Sequence, residues 1–80
     1  MTTTMYIELP SIDTVKRFVN DLAKMEGDFD LISGRYVIDA KSIMGIFSLD
    51  LSKPLQMNIT DAKESDVEIL KKYSHQGEEH

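Results

Sequence analysis

The spacing of apolar residues in this chain switches repeatedly between two and three-to-four, and no other feature restricts its fold as strongly. Met5, Ile7 and Leu9 alternate with Tyr6 and Glu8, the period of a half-buried strand. Pro10 ends that strand, since proline has no amide hydrogen for a ladder. From Ser11 the period lengthens. Ile12, Val15, Phe18, Val19, Leu22 and Ala23 fall on one helical face, while Asp13, Lys16, Arg17, Asn20 and Lys24 fall on the other. Ser11 suits the N-cap and Gly27 a position just past the C-terminus. Two β-prone runs follow, Phe29 to Ile32 and Tyr36 to Ala40, separated by Ser33-Gly34-Arg35 in the manner of a hairpin. Leu55 to Thr60 alternates strictly, with Leu55, Met57 and Ile59 inward. Ser65-Asp66-Val67-Glu68 has the spacing of a capping box, and Val67, Ile69, Leu70 and Tyr73 give the helix it opens an apolar side. Glu68 and Lys72 stand at the i, i+4 spacing of an ion pair. The polar stretch from Ser74 to His80 reads as a frayed tail.

The segment Lys41 to Leu49 departs from these patterns. Ser42 suits the cap of a short helix, but Ile43, Met44, Ile46, Phe47 and Leu49 place five apolar residues in seven positions. They surround such a helix rather than striping it. Either the segment is well buried, or part of it remains exposed as an apolar patch of the kind that marks docking sites. The residues alone leave the two readings level.

The resulting order is β-α-β-β-α-β-α in one domain spanning residues 1–80. Polar residues alternate out of the strands, so helices gather on one sheet face and leave the other wet. That is an α+β open-faced sandwich. Periodicity does not give the strand order. At this length net stability is small, and with no cysteine neither disulfides nor thiolate metal sites reinforce the core. The 41% hydrophobic and 29% charged fractions suit a folded soluble chain. Nine Lys plus Arg against fourteen Asp plus Glu give a net charge of −5, which disfavours a nucleic-acid partner. No basic and apolar export signal opens the sequence and no apolar run is long enough to cross a bilayer, so the expectation is a cytoplasmic protein without a membrane partner. No nucleophile–base pair, phosphate-cradling glycine loop or metal-ligand spacing is found, so neither an enzyme nor a cofactor is expected. Asp28, Asp30 and Asp39 read as strand-edge solvation. Glu78, Glu79 and His80 carry no weight as a metal site.

At Lys41-Ser42-Ile43-Met44-Gly45-Ile46-Phe47-Ser48-Leu49 the chain resembles HPr, the histidine-containing phosphocarrier of the bacterial phosphoenolpyruvate-dependent sugar phosphotransferase system. In that family a Lys-Ser-Ile/Leu-Met/Leu-Gly stretch opens a short helix whose serine a regulatory kinase phosphorylates. The similarity runs back without gaps through Met25-Glu26-Gly27-Asp28-Phe29-Asp30-Leu31 and on, more loosely, to Ile59. It implies a four-stranded antiparallel sheet with three helices on one face. It also implies Ser42 as the regulatory serine, and Ile43, Met44 and Phe47 as a docking patch for enzyme I and other partners.

One departure governs the functional expectation. The family's first helix begins at Gly-x-His-Ala-Arg-Pro, whose histidine carries the phosphoryl group. The same alignment puts Ser11 at the histidine, Asp13 at the arginine, and Ile12 and Thr14 at the alanine and proline. The two histidines present, His75 and His80, stand in the tail. Relay needs a nitrogen nucleophile that forms a labile phosphoramidate, and a serine ester holds phosphate too firmly. Asp13 suits the helix dipole but repels an incoming phosphoryl group. Asp50, where the family carries glycine, adds negative charge near Ser42. Lys24, Lys41 and Arg17 either rim the patch or serve as solvated surface. The expectation is a non-catalytic, HPr-like regulatory or protein-docking module, with phosphotransferase components or an HPr serine kinase as partners. The alternatives are a phosphocarrier with an unrecognised acceptor, and the same fold reused for unrelated binding.

Overall fold

The computed structural model describes residues 2–74. Strand β1 (Thr2–Ile7) leads into helix α1 (Ile12–Ala23), followed by the β2 (Asp28–Ser33) and β3 (Tyr36–Asp39) hairpin. The short helix α2 (Ile43–Phe47), strand β4 (Leu55–Thr60) and helix α3 (Glu64–Leu70) complete the fold, with a 3₁₀ turn at Lys71–Tyr73. The strands form one antiparallel sheet in the order β1-β4-β2-β3. The expected α+β open-faced sandwich and its element order are therefore present. The strand order, which periodicity could not supply, places the strictly alternating β4 between β1 and β2.

One apolar core lies between the sheet and the helices. Ile7, Phe29, Leu31, Leu55, Met57 and Ile59 point into it from the strands, and Val15, Phe18, Leu22, Ile46 and Leu70 from the helices. Side chains of this size contribute about 1.5–3 kcal/mol each when fully buried. Because these apolar residues sit on alternate strand positions, the other sheet face carries mostly polar and charged side chains, with Tyr6, Ile32 and Val37 among them.

Local details differ from the sequence reading. The first strand runs from Thr2 rather than Met5 and stops at Ile7, because its pairing with β4 extends from Thr2 opposite Thr60 to Ile7 opposite Leu55. Leu9 is buried all the same, beyond the ladder, while the amide of Glu8 donates to the carbonyl of Tyr73 at 2.8 Å. On α1 only Val15, Phe18 and Leu22 are fully buried, whereas Ile12 and Ala23, at its two ends, are exposed. Gly27 does not cap this helix, which ends at Ala23 with Lys24 as its C-cap. It instead turns the chain into β2 at φ +112°, where an added Cβ would lie 2.9 Å from the carbonyl oxygen of Thr60. The hairpin closes on Gly34 and Arg35, with Gly34 at φ +61°, as a tight two-residue turn requires of its first central residue.

The capping box at Ser65 is not formed. Helix α3 starts two residues earlier, at Glu64, with Lys63 rather than Ser65 as N-cap and no side-chain cap bond. Asp61, at φ +61°, turns the chain before it, and Glu64 and Asp66 put negative charge in the first turn, where the helix dipole favours it. Glu68 pairs with Lys71 at 2.9 Å rather than with Lys72, whose ammonium reaches Asp21 on α1 at 3.0 Å. Ser74, assigned to the frayed tail, bridges to Ile7; the rest of that tail, 75–80, lies outside the described residues.

Candidate functional site

Helix α2 is held at both ends by its own backbone and serines. The carboxylate of Asp39 accepts the amide of Lys41 at 2.9 Å, and its carbonyl accepts the amide of Ser42 at 2.9 Å. This turn delivers Ser42 to the N-cap, where its hydroxyl oxygen accepts the amide of Gly45 at 3.2 Å. At the other end the Ser48 hydroxyl donates to the carbonyl of Gly45 at 2.6 Å. Gly45 itself lies close to β3: an added Cβ would stand 3.3 Å from both Ile38 Cδ1 and Ser42 Oγ.

With the helix seated this way its apolar residues divide. Ile46 is fully buried, and Ile43 and Leu49 are partly buried against the core. Met44 remains 78% exposed and Phe47 42% exposed. A five-residue helix presents too little inward face for all of them. Helix α1 packs against α2, and its first residue, Ile12, is 62% exposed. Of the two readings of this segment, the structure shows the partly exposed one. Ile43 contributes less free surface than its two neighbours.

The neighbouring charges are largely engaged. Lys41 donates from Nζ to the carbonyl of Met25 at 2.9 Å and stands 5.6 Å above the Phe29 ring, so it anchors the α1–β2 connection to the start of α2. The carboxylate of Asp50 accepts both the hydroxyl and the amide of Ser52, at 2.6 and 3.1 Å. Those bonds, the hydroxyl first, hold its pKa below the usual aspartate value. Lys24 and Arg17 are exposed on α1.

At the start of α1, Ser11 is the N-cap. Its hydroxyl oxygen accepts the Thr14 amide at 3.1 Å and lies 2.9 Å from the Thr14 hydroxyl. Asp13 is exposed in the first turn. His75 and His80 lie outside the described residues, as do Glu78 and Glu79. Near this helix end an open groove of about 440 Å³ is lined by Glu8, Pro10, Thr14, Arg17, Lys72 and Tyr73, with Ser74. The sequence reading missed it because its walls come from both ends of the chain. Glu8 within it, and Asp21 bonded to Lys72, offset its two cations, so it does not concentrate one sign of charge. Among the described residues no group of three or more His, Cys, Asp and Glu is placed to hold a metal ion, and no buried side-chain polar atom lacks a partner. Among the described residues no helix is long and apolar enough to cross a membrane.

Asp30 and Asp39 do come together, on the wet face of the sheet, directly opposite one another on β2 and β3. Asp28 follows two positions before Asp30 on the same face. Asp30 is half-buried on an interior strand, so strand-edge solvation describes Asp39 better than it describes Asp30.

No family model, no curated protein and no solved structure matches this chain.

Proposed function

We propose that this chain is a non-catalytic docking module related to the HPr phosphocarriers, one that meets protein partners through α2 and does not relay phosphate. The observation that carries the reading is the exposure of Met44 and Phe47 on a helix fixed at both ends. With the backbone already fixed, only side-chain freedom is lost on binding, and covering the apolar surface releases water. Ile12 at the start of the adjoining helix extends the apolar surface available to a partner. Ser11 supports the absence of relay: its oxygen serves the helix, and it has no nitrogen to form a labile phosphoramidate. Partners of the phosphotransferase system, enzyme I foremost, fit the resemblance.

Ser42 is the regulatory position in this proposal. It is exposed, and its oxygen already faces the Gly45 amide, so a phosphate there would keep an acceptor at the helix start while adding charge beside the patch. An HPr serine kinase with ATP is expected to label the chain at Ser42, and labelling that survives Ser42→Ala refutes that assignment.

The docking reading is tested by titrating enzyme I into the isotope-labelled chain and following amide shifts. Shifts are expected at Met44, Phe47 and Ile12, and Met44→Asp should abolish them while changing stability by no more than about 0.5 kcal/mol. Shifts confined to other surfaces would overturn the reading, as would saturating enzyme I that moves nothing. An acid-labile phosphoryl group taken up from phosphoenolpyruvate and enzyme I would favour a phosphocarrier with another acceptor.

A further inference from the structure

The register of the sheet sorts its helix-free face into rows. Tyr6, Gln56, Ile32 and Val37 stand side by side across all four strands. With strands about 4.8 Å apart this row is roughly 14 Å wide. Tyr6 is 51% exposed and Val37 63% exposed, and Ile32 is partly exposed between them. Gln56 turns along its own strand, donating to Asn58 at 3.3 Å, and leaves the row mainly apolar.

The next row is Thr4, Asn58, Asp30 and Asp39, and beyond it Thr2, Thr60 and Asp28. The outward strand positions thus carry three carboxylates and no basic residue. Asp30 and Asp39 form a non-hydrogen-bonded pair, since the ladder bond next to them runs from the Ala40 amide to the Phe29 carbonyl at 2.8 Å. In such pairs the side chains lie closest, and like charges set directly opposite repel. The two carboxylates thus stand opposite each other on the same face that holds the exposed apolar row.

We infer that this sheet face is a second docking surface, and that its occupant is a protein segment pairing an apolar edge with lysine or arginine side chains. The apolar edge covers Tyr6, Ile32 and Val37, and the cations meet Asp28, Asp30 and Asp39. Charge complementarity selects this occupant. Nucleic acid and anionic lipid headgroups bring more negative charge to the carboxylates, and a second copy of the face would set the same aspartates against one another. The surface is distinct from α2, which lies across the core on the helical side.

The test is a titration of the isotope-labelled chain with a short amphipathic peptide of leucine and lysine, beside a counterpart with glutamate for lysine. The lysine peptide should shift the amides of Tyr6, Ile32, Val37, Asp30 and Asp39, and added salt should weaken it. The combined Asp30→Asn and Asp39→Asn variant keeps the acceptor that Lys41 uses and should bind roughly fivefold more weakly, the loss expected for two solvent-exposed ion pairs. Val37→Ser should weaken binding without altering its salt dependence. The inference is overturned if the face does not shift, if the glutamate peptide shifts it equally, or if the response falls on α2. It is also overturned if the face shifts with protein concentration alone, which would make a second copy the occupant.

Discussion

At Gly27 the backbone dictates which side chain the position accepts. Its φ of +112° is one that side-chain-bearing residues rarely adopt, and the carbonyl of Thr60 fills the space a Cβ needs. Gly34 shares a positive φ but has open space around it. Gly34→Ala should therefore cost only the left-handed conformation, about 1–2 kcal/mol, and Gly27→Ala clearly more; urea denaturation midpoints of the two variants give the comparison. Tyr73 and Asp21 form the other residue-scale device. The phenol donates to the carboxylate at 2.7 Å, and the ring packs edge-on to Phe18 with centroids 5.1 Å apart. The bond from Tyr73, with Lys72 assisting, lowers the Asp21 pKa below its ordinary 3.8 despite partial burial. The contribution is complete above that ordinary value and is lost as pH falls through the lowered one. Burial, then the bond to Asp21, raises the phenol above its ordinary 10.0, so that contribution is present below pH 10 and lost as pH rises further. Tyr73→Phe should reduce stability by about 1–2 kcal/mol near neutrality and flatten the fall above pH 10, measured by denaturation across pH. Neither device is legible in the sequence. Gly27 is constrained by a strand more than thirty positions away, and Tyr73 meets an aspartate 52 residues earlier.

Among the elements, α1, α2 and β4 were legible because their signals are local. Ser11 and Ser42 each precede an apolar run, and each does accept the amide three residues on. The surplus of apolar residues around α2 left open whether all of them are buried, and Met44 and Phe47 are not. The start of β1 was not legible, since Thr2, Thr3 and Thr4 offer no apolar alternation and enter the sheet through pairing with β4. Thr is β-branched and suits a strand, but such a preference shows only where a neighbour supplies the ladder. Ser65 misled for a related reason: the turn at Asp61 sets where α3 begins and leaves the serine inside the first turn. Ser42→Ala should cost about 1 kcal/mol and Ser65→Ala close to nothing, a contrast that thermal unfolding of the two variants resolves.

For the molecule as a whole, the order of periods in the sequence was enough to give the class of fold. The strand order β1-β4-β2-β3 was out of reach because it depends on which edges meet. That order is what brings Asp30, Asp39, Ile32 and Val37 onto one wet face, and it sets α2 on the opposite side of the core. The two proposed docking surfaces therefore face away from each other, and occupancy of one leaves the other open. In the proposed function the chain engages phosphotransferase partners without passing phosphate on. The direct measurement is transfer of labelled phosphate from phosphoenolpyruvate, through limiting enzyme I, to intact histidine-bearing HPr as this chain is added. Label on HPr should fall, none should appear on this chain, and Met44→Asp should restore the transfer. Acid-labile label on the chain, or HPr labelling that the chain leaves unchanged, would contradict it.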